Sequence, residues 1–139
     1  MKKFLFGIFL LISIIGCRKT ASWYGDKFKG KPTASGYLFN PKEYTCASNR
    51  YKFGTVLKVT NVDNGKFVVV VVTDRGGFSK MGREIDLSRA AFAKIANLNS
   101  GLIKVKIKVK IKVLDDDNTF EYKHGSPIFN AREYKKYVD

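Results

Sequence analysis

The chain has 139 residues and carries 26 Lys and Arg against 12 Asp and Glu, a formal net charge of +14. One domain is the default at this length, and a hydrophobic fraction of 45% excludes a disordered chain. One His and two Cys argue against a zinc ribbon or a disulfide-stapled scaffold, while the charge points to a polyanionic partner whose nature depends on where the chain resides.

The first seventeen residues give an address. Met1-Lys2-Lys3 is a positive leader, and Phe4 to Ile15 is an apolar stretch of twelve residues, too short for a span of about 20 residues and suited to an export signal. It ends in Ile14-Ile15-Gly16-Cys17, which looks like a bacterial lipobox with Ile in two places where Leu and Ala or Ser are usual. A lipoprotein signal over 1–17 is therefore expected, with acyl chains on Cys17 anchoring the protein to a membrane at about 0.8 kcal/mol per buried CH₂. An ordinary secretory signal that happens to end beside a cysteine is the alternative. Export to the bacterial cell envelope removes nucleic acid as a partner and leaves anionic lipid head groups and the carboxylate-bearing wall. Cys46, among the small residues Thr45, Ala47 and Ser48, then has no partner and reads as a buried small hydrophobe.

Residues 18–114 contain 20 basic and 6 acidic residues and so hold the whole net excess. Up to residue 87, Gly and Pro punctuate short apolar runs, a mainly β pattern. Thr55 to Thr60 reads as a strand, Val62-Asp63-Asn64-Gly65 as a tight turn, and Lys66 to Thr73, with five consecutive Val, as a strand buried on both faces. Ser88 is a good N-cap for one short helix whose apolar stripe includes Ala91, Phe92, Ile95 and Ala96, and Asn97 to Gly101 ends it. Ile103 to Val113 alternates strictly, with Lys104, Lys106, Lys108, Lys110 and Lys112 on one face, which predicts a long half-buried strand. Those lysines form either a cationic ridge for anionic lipid or wall polymer, or a solvated face that blocks edge-to-edge pairing. Residues 115–139 form a polar and aromatic tail, in which the lone His124 has no neighbouring metal ligand. No cofactor is expected.

Five blocks in order, Ala21-Ser22-Trp23-Tyr24-Gly25, Lys31 to Gly36 (Lys-Pro-Thr-Ala-Ser-Gly), Phe53-Gly54-Thr55, Thr73-Asp74-Arg75-Gly76 and Ile85 to Ala91 (Ile-Asp-Leu-Ser-Arg-Ala-Ala), make residues 21–114 resemble the rare lipoprotein A family. The resemblance implies a six-stranded double-psi β-barrel, akin to that of expansins, over residues 18–114. It also implies cleavage of peptidoglycan glycan strands as a lytic transglycosylase. Such an enzyme needs one carboxylic acid to protonate the glycosidic oxygen and then take a proton from the sugar's own C6 hydroxyl, closing a 1,6-anhydro ring. Asp74, at the end of the Val run and before a Gly-rich loop, matches the family's catalytic Asp.

The chain departs from the family's pattern in three places. Tyr37 and Asn40 stand where a Glu and an Asp are common, and Ser48 stands where a His is common. Asn40 and Ser48 retain hydrogen-bonding capacity toward a sugar and Tyr37 a ring to stack on one, as do Trp23 and Tyr24, which are equally suited to barrel packing. Arg75 either holds a substrate carboxylate or braces the Asp74 loop. Glu84 and Asp86 share one strand face, with Asp86 expected to help start the helix. Asp74 is then the sole titratable candidate. The leading expectation is a lipid-anchored lytic transglycosylase acting on peptidoglycan glycan strands, the competing one a catalytically degenerate peptidoglycan-binding barrel, and a third an envelope protein that bridges lipid and wall.

Overall fold

The computed structural model describes residues 19–77 and 82–111. The export signal, Cys17, Lys112, His124 and the 115–139 tail lie outside the described residues. Six strands, β1 (Lys19–Trp23), β2 (Thr45–Ala47), β3 (Val56–Asn61), β4 (Phe67–Asp74), β5 (Ile85–Leu87) and β6 (Ile103–Ile111), close into a barrel in the order β1-β5-β2-β4-β3-β6. The pairs β1–β5 and β2–β4 are parallel, and the other pairs are antiparallel. Helix α1 (Arg89–Ile95) follows β5 directly.

The Val run explains the core. Val68 to Val72 are all at most 2% exposed, because β4 lies between β2 and β3 and is covered on both faces. Val68, Val70 and Val72 join Leu57, Val59, Ile85, Leu87 and Val105 in one core, while Val69 and Val71 pack with Val56, Tyr44 and Phe67 on the other side. α1 adds Ala91, Phe92 and Ile95 to the first core. Its start is fixed by Ser88, whose Oγ accepts the Ala91 N–H at 3.2 Å, as the sequence predicts. Cys46 faces Val72 and Leu87 with no exposure, and burial pushes its thiol up from its ordinary range, so it is the small hydrophobe expected.

Asn61 joins the β3–β4 hairpin to the helix. Its Nδ2 donates to the Ile95 carbonyl at 2.8 Å and its Oδ1 accepts the Asp63 N–H at 3.0 Å, while Asn64 Nδ2 donates to the same Ile95 carbonyl at 2.9 Å. Two amides thus satisfy one carbonyl at the helix C-terminus, which has no partner within the helix. Gly65 completes the turn at φ 73°, as Asn-Gly turns require.

β6 follows the expected alternation only in part. Ile103 and Val105 are buried and Lys104 and Lys106 exposed, but Val109 and Ile111 are 38% and 41% exposed. Among the described residues β1 pairs with β6 only at Ile103 to Val105, and beyond that point β6 pairs with β3 alone.

Asn61→Ala removes a buried donor and leaves its share of the Ile95 carbonyl unmade, so unfolding free energy should fall by about 1–3 kcal/mol. The denaturant midpoint should shift at constant m-value, and an unchanged midpoint would show the hairpin–helix tie to be without weight.

Candidate active site

Four strands bring four residues to one level on the barrel wall. Ser22 of β1 pairs with Asp86 of β5, Asp86 with Ala47 of β2, and Ala47 with Asp74 of β4. Register partners point to the same side of a sheet, and Ile85 and Leu87, flanking Asp86, point into the core. The row Ser22–Asp86–Ala47–Asp74 therefore faces away from the barrel interior. Asp74 reaches that face only through an irregularity. Cys46 pairs with Val72, yet Ala47 pairs with Asp74, so the register slips by one residue. Without the slip Asp74 would follow Val70 and Val72 into the core; the bulge turns it outward.

The row opens into a cleft of about 430 Å³ lined by Tyr24, Phe28, Ala47, Asp74, Arg75, Gly76, Gly77, Arg83 and Asp86. The Asp74 carboxylate is held by three donors: Tyr24 Oη gives its proton to Oδ2 at 3.0 Å, and the N–H groups of Ala34 and Arg75 donate to Oδ1 at 2.9 and 2.8 Å. Burial, and then the carboxylates of Asp74 and Asp86, push the Tyr24 phenol up, so it stays a donor at any ordinary pH.

Asp74, Tyr24 and Arg75 are the predicted residues that the cleft brings together. Tyr24 holds Asp74 by its hydroxyl, while its ring stacks on Phe39 at 4.7 Å. Arg75 braces the loop: Nη1 donates to the carbonyls of Ser48 at 2.7 Å and Asp74 at 3.3 Å, and the guanidinium lies over the Phe53 ring at 4.0 Å.

The other expected contact residues are elsewhere. Trp23 pairs with Leu87 on the core-facing side of β1, packs near Phe92 and donates Nε1–H to the Leu98 carbonyl at 3.1 Å. Strand alternation thus takes it off the cleft. Tyr37 has no exposed ring face; it is buried with Tyr24, Phe39 and Ala47, and its hydroxyl accepts the Asn40 N–H at 3.2 Å. Asn40 closes a turn by accepting the Lys42 N–H at 3.0 Å. Ser48 is buried, its Oγ accepting the Arg50 N–H at 3.2 Å.

Asp86 is the group that sequence reasoning misplaced. It does not start the helix, which Ser88 caps; it is half-buried in the cleft, where Ser22 Oγ donates to its Oδ1 at 2.9 Å. Arg83 Nη1 in turn donates to Ser22 Oγ at 3.1 Å. Burial raises the Asp86 carboxyl above its ordinary range, opposed by the Ser22 hydrogen bond and Arg83, with Asp74 pushing it further up. Its signal was legible: in Ile85-Asp86-Leu87 a strand that buries both Ile85 and Leu87 must turn Asp86 to the other face. Phe28 was missed as well. It is 39% exposed on the cleft wall, its ring meeting that of Tyr24 edge-on at 5.9 Å. A lone aromatic in the charged run Asp26-Lys27-Phe28-Lys29 was the clue. Two carboxylates under different constraint, beside two guanidinium groups, can move protons to and from the oxygens of a bound ligand.

A closed barrel with two parallel pairs, and with an acid cleft on the outer side of its wall, defines a double-psi β-barrel of the expansin type. The mutant expansin of Clavibacter michiganensis solved in complex with cellohexaose shares this fold: TM-score 0.54 and 20% identity, over 67% of the present chain and 49% of that one. The profile of the lytic transglycolase family matches residues 18–107, and the chain belongs to that family. Its relatives include the probable endolytic peptidoglycan transglycosylases RlpA of Treponema pallidum, 47% identical over 85 residues, and of Aquifex aeolicus, 49% identical over 86 residues. These matches cover 61% and 62% of the chain but only 26% and 38% of the two relatives, so the chain matches well under half of either relative's length.

Because the folded chain holds the Asp86 proton more tightly than the unfolded chain, this group's contribution to stability is greatest below the ordinary carboxylate range. It declines as pH rises from that range through the raised value. Asp86→Asn cannot ionise and loses the decline. The variant's unfolding free energy, relative to the parent, should therefore increase from acid to neutral pH in denaturant titrations. A difference that stays flat would show that burial does not shift this carboxyl.

Proposed function

We propose that the chain cleaves the glycan strands of peptidoglycan as a lytic transglycosylase, leaving 1,6-anhydro ends, with Asp74 at the centre of the chemistry. The observation that carries this reading is the bulge that turns Asp74 out of the core and into an open cleft, where three donors fix its carboxylate. A carboxylate so oriented exchanges a proton with a sugar oxygen without first reorganising. Phe28 supplies the flat surface for stacking a sugar ring that was expected of Trp23 and Tyr37. Arg75 and Arg83 add positive charge to the cleft wall for the carboxylates of the wall polymer.

In this reading residues 18–114 are the barrel domain, preceded by the 1–17 lipoprotein signal and followed by the 115–139 tail. The protein resides in the bacterial cell envelope, held to a membrane by acyl chains on Cys17. Lys104, Lys106, Lys108 and Lys110 are exposed along β6, and Lys108 lies directly opposite Lys58 of β3. Like charges opposite one another on a sheet are unfavourable, and an anionic lipid or wall polymer on the ridge relieves the repulsion.

Incubated with purified peptidoglycan, the full chain should release fragments with 1,6-anhydro-muramic ends detectable by mass spectrometry, and Asp74→Asn should lower the rate by about 100-fold or more. Peptidoglycan that is bound but carries no such ends would make the protein a binding module. Membrane fractionation tests the anchor and the ridge together. The wild type should stay with membranes at high salt, Cys17→Ala should leave at high salt only, and Cys17→Ala with Lys104, Lys106 and Lys108 changed to Gln should leave at low salt. Cys17→Ala that resists salt would remove the lipid anchor, and added Gln substitutions without effect would return the ridge to a solvated face.

A further inference from the structure

We propose that the barrel docks on the anionic surface of the membrane that holds Cys17, cleft end first, through the projecting lysines of β6. The proposal rests on the lipid-anchor reading above and fixes both the partner of the ridge and the orientation of the barrel.

Strand directions place the anchor and the cleft at one end. β2 and β4 run parallel and finish side by side at Ala47 and Asp74. β5 is antiparallel to β2, so it starts at that end, and β1, parallel to β5, starts there too. β6 is antiparallel to β1 and finishes there, at Ile111, which pairs with Val56 at the start of β3. The start of β1 is where the chain arrives from Cys17, and the end of β4 is where Asp74 meets the cleft.

The tether between them is short. Cys17 stands two residues before Lys19, which keeps the two within about 7 Å. Lys19 to Ser22 is strand, a further rise of about 10 Å, and Ser22 donates to Asp86 in the cleft. About 17 Å of chain therefore separates the acylated residue from the cleft. An anchored barrel so tethered cannot lift its cleft end far from the head groups.

What that end presents suits an anionic bilayer. Val105 pairs with Lys19, and β6 continues past the start of β1 from Lys106 to Ile111. Lys106, Lys108 and Lys110 are exposed along it, and Arg50 and Lys52 are exposed in the loop that leads into β3. The described acids of the same end are already engaged. Asp74 is held by three donors, Asp86 by Ser22, and Glu84 lies 3.7 Å from Lys19. Positive charge is therefore in excess here. Among the lysines stand Val109 and Ile111, 38% and 41% exposed. Lysines around apolar side chains match head groups above an acyl boundary, whereas a hydrated wall polymer would use the charge alone. Docked in this way, the cleft receives the glycan nearest the membrane.

The test uses the acylated full chain in vesicles of phosphatidylcholine and phosphatidylglycerol that contain a nitroxide-bearing lipid. A fluorophore is placed on Lys110→Cys, or on Lys66→Cys in the β3–β4 turn at the opposite end; Cys46 is buried and does not compete for label. The label at 110 should be quenched several-fold more than the label at 66. Each lysine near an anionic surface strengthens association by about fivefold. Lys106→Gln with Lys108→Gln should therefore lower the ratio of docked to free barrels by about 25-fold, and so should vesicles of phosphatidylcholine alone weaken quenching at 110. Equal quenching at both positions overturns the orientation. Quenching at 110 that survives both the Gln substitutions and neutral vesicles assigns it to the tether and overturns the lysine contact. No quenching at 110, with lysine-dependent retention on purified peptidoglycan, makes the wall polymer the occupant and overturns the docking. A chain that carries no acyl groups by mass spectrometry overturns the anchor reading, and this orientation with it.

Discussion

The register of β2, three residues long, decides what this barrel can do. β2 runs parallel to β4 on one side and antiparallel to β5 on the other, and its last residue, Ala47, is the common partner of Asp74 and Asp86. Neither carboxylate is placed by a loop of its own. Each is placed by a strand that also carries core residues, Val72 on one side and Leu87 on the other, both opposite Cys46. The packing that holds Cys46, Val72 and Leu87 thus sets the spacing of the acids one residue further on, and sites built on strands are held more tightly than sites on loops. The bulge is the single departure from regularity in this region, and it gives Asp74 an outward direction that alternation would have denied it.

The covering loop after β1 then distinguishes two similar side chains. Residues 24–40 return over the end of β4, so that the Ala34 N–H and the Tyr24 hydroxyl reach Asp74. Ser35 N–H also donates to the Thr73 carbonyl at 3.3 Å, and the Thr33 hydroxyl donates to the Tyr37 carbonyl at 2.8 Å, which ties the loop to β4 and to itself. Among the described residues nothing comparable surrounds Asp86, which has the hydroxyl of Ser22 and, behind it, Arg83. The two carboxyl groups thus differ in the donors they meet.

Much of this was legible in the sequence. The Val run, the Asn-Gly turn, the Ser88 cap and the alternation of β6 as far as Ile107 follow from local chemistry and appear where expected. The ordered blocks around Tyr24, Gly36, Asp74 and Leu87 led to the barrel and to Asp74. What escaped was long-range. The slip between Cys46 and Ala47 leaves no mark in composition, so nothing showed that Asp74 and Asp86 meet. Trp23 and Tyr37 were candidate sugar platforms because aromatics suit that task, yet their direction depends on which face of β1 and which side of the covering loop enter the core. Asp86 was given to the helix because Ser88 follows closely, whereas its membership of a three-residue strand outweighs that proximity.

Tyr37 shows how the barrel absorbs the loss of an ionisable side chain. Where the family resemblance implies a Glu, this chain buries a phenol against Tyr24, Phe39 and Ala47. The ring adds apolar area beneath the residues that hold Asp74, worth about 2–3 kcal/mol if its burial is complete, and its hydroxyl is satisfied by the Asn40 N–H. Glu43 joins that network, and burial pushes its carboxyl up as well. Position 37 therefore contributes no acid to the cleft. It contributes packing beneath Tyr24, and among the described residues the cleft's acidity lies on the two strands that flank Ala47. The surrounding barrel segment, with 20 basic and 6 acidic residues, gains little stability from its exposed Lys19–Glu84 and Arg89–Asp26 pairs. Its surplus charge acts as a field on whatever approaches the wall of the barrel, where the two carboxylates of the cleft are set by register and distinguished by their neighbours.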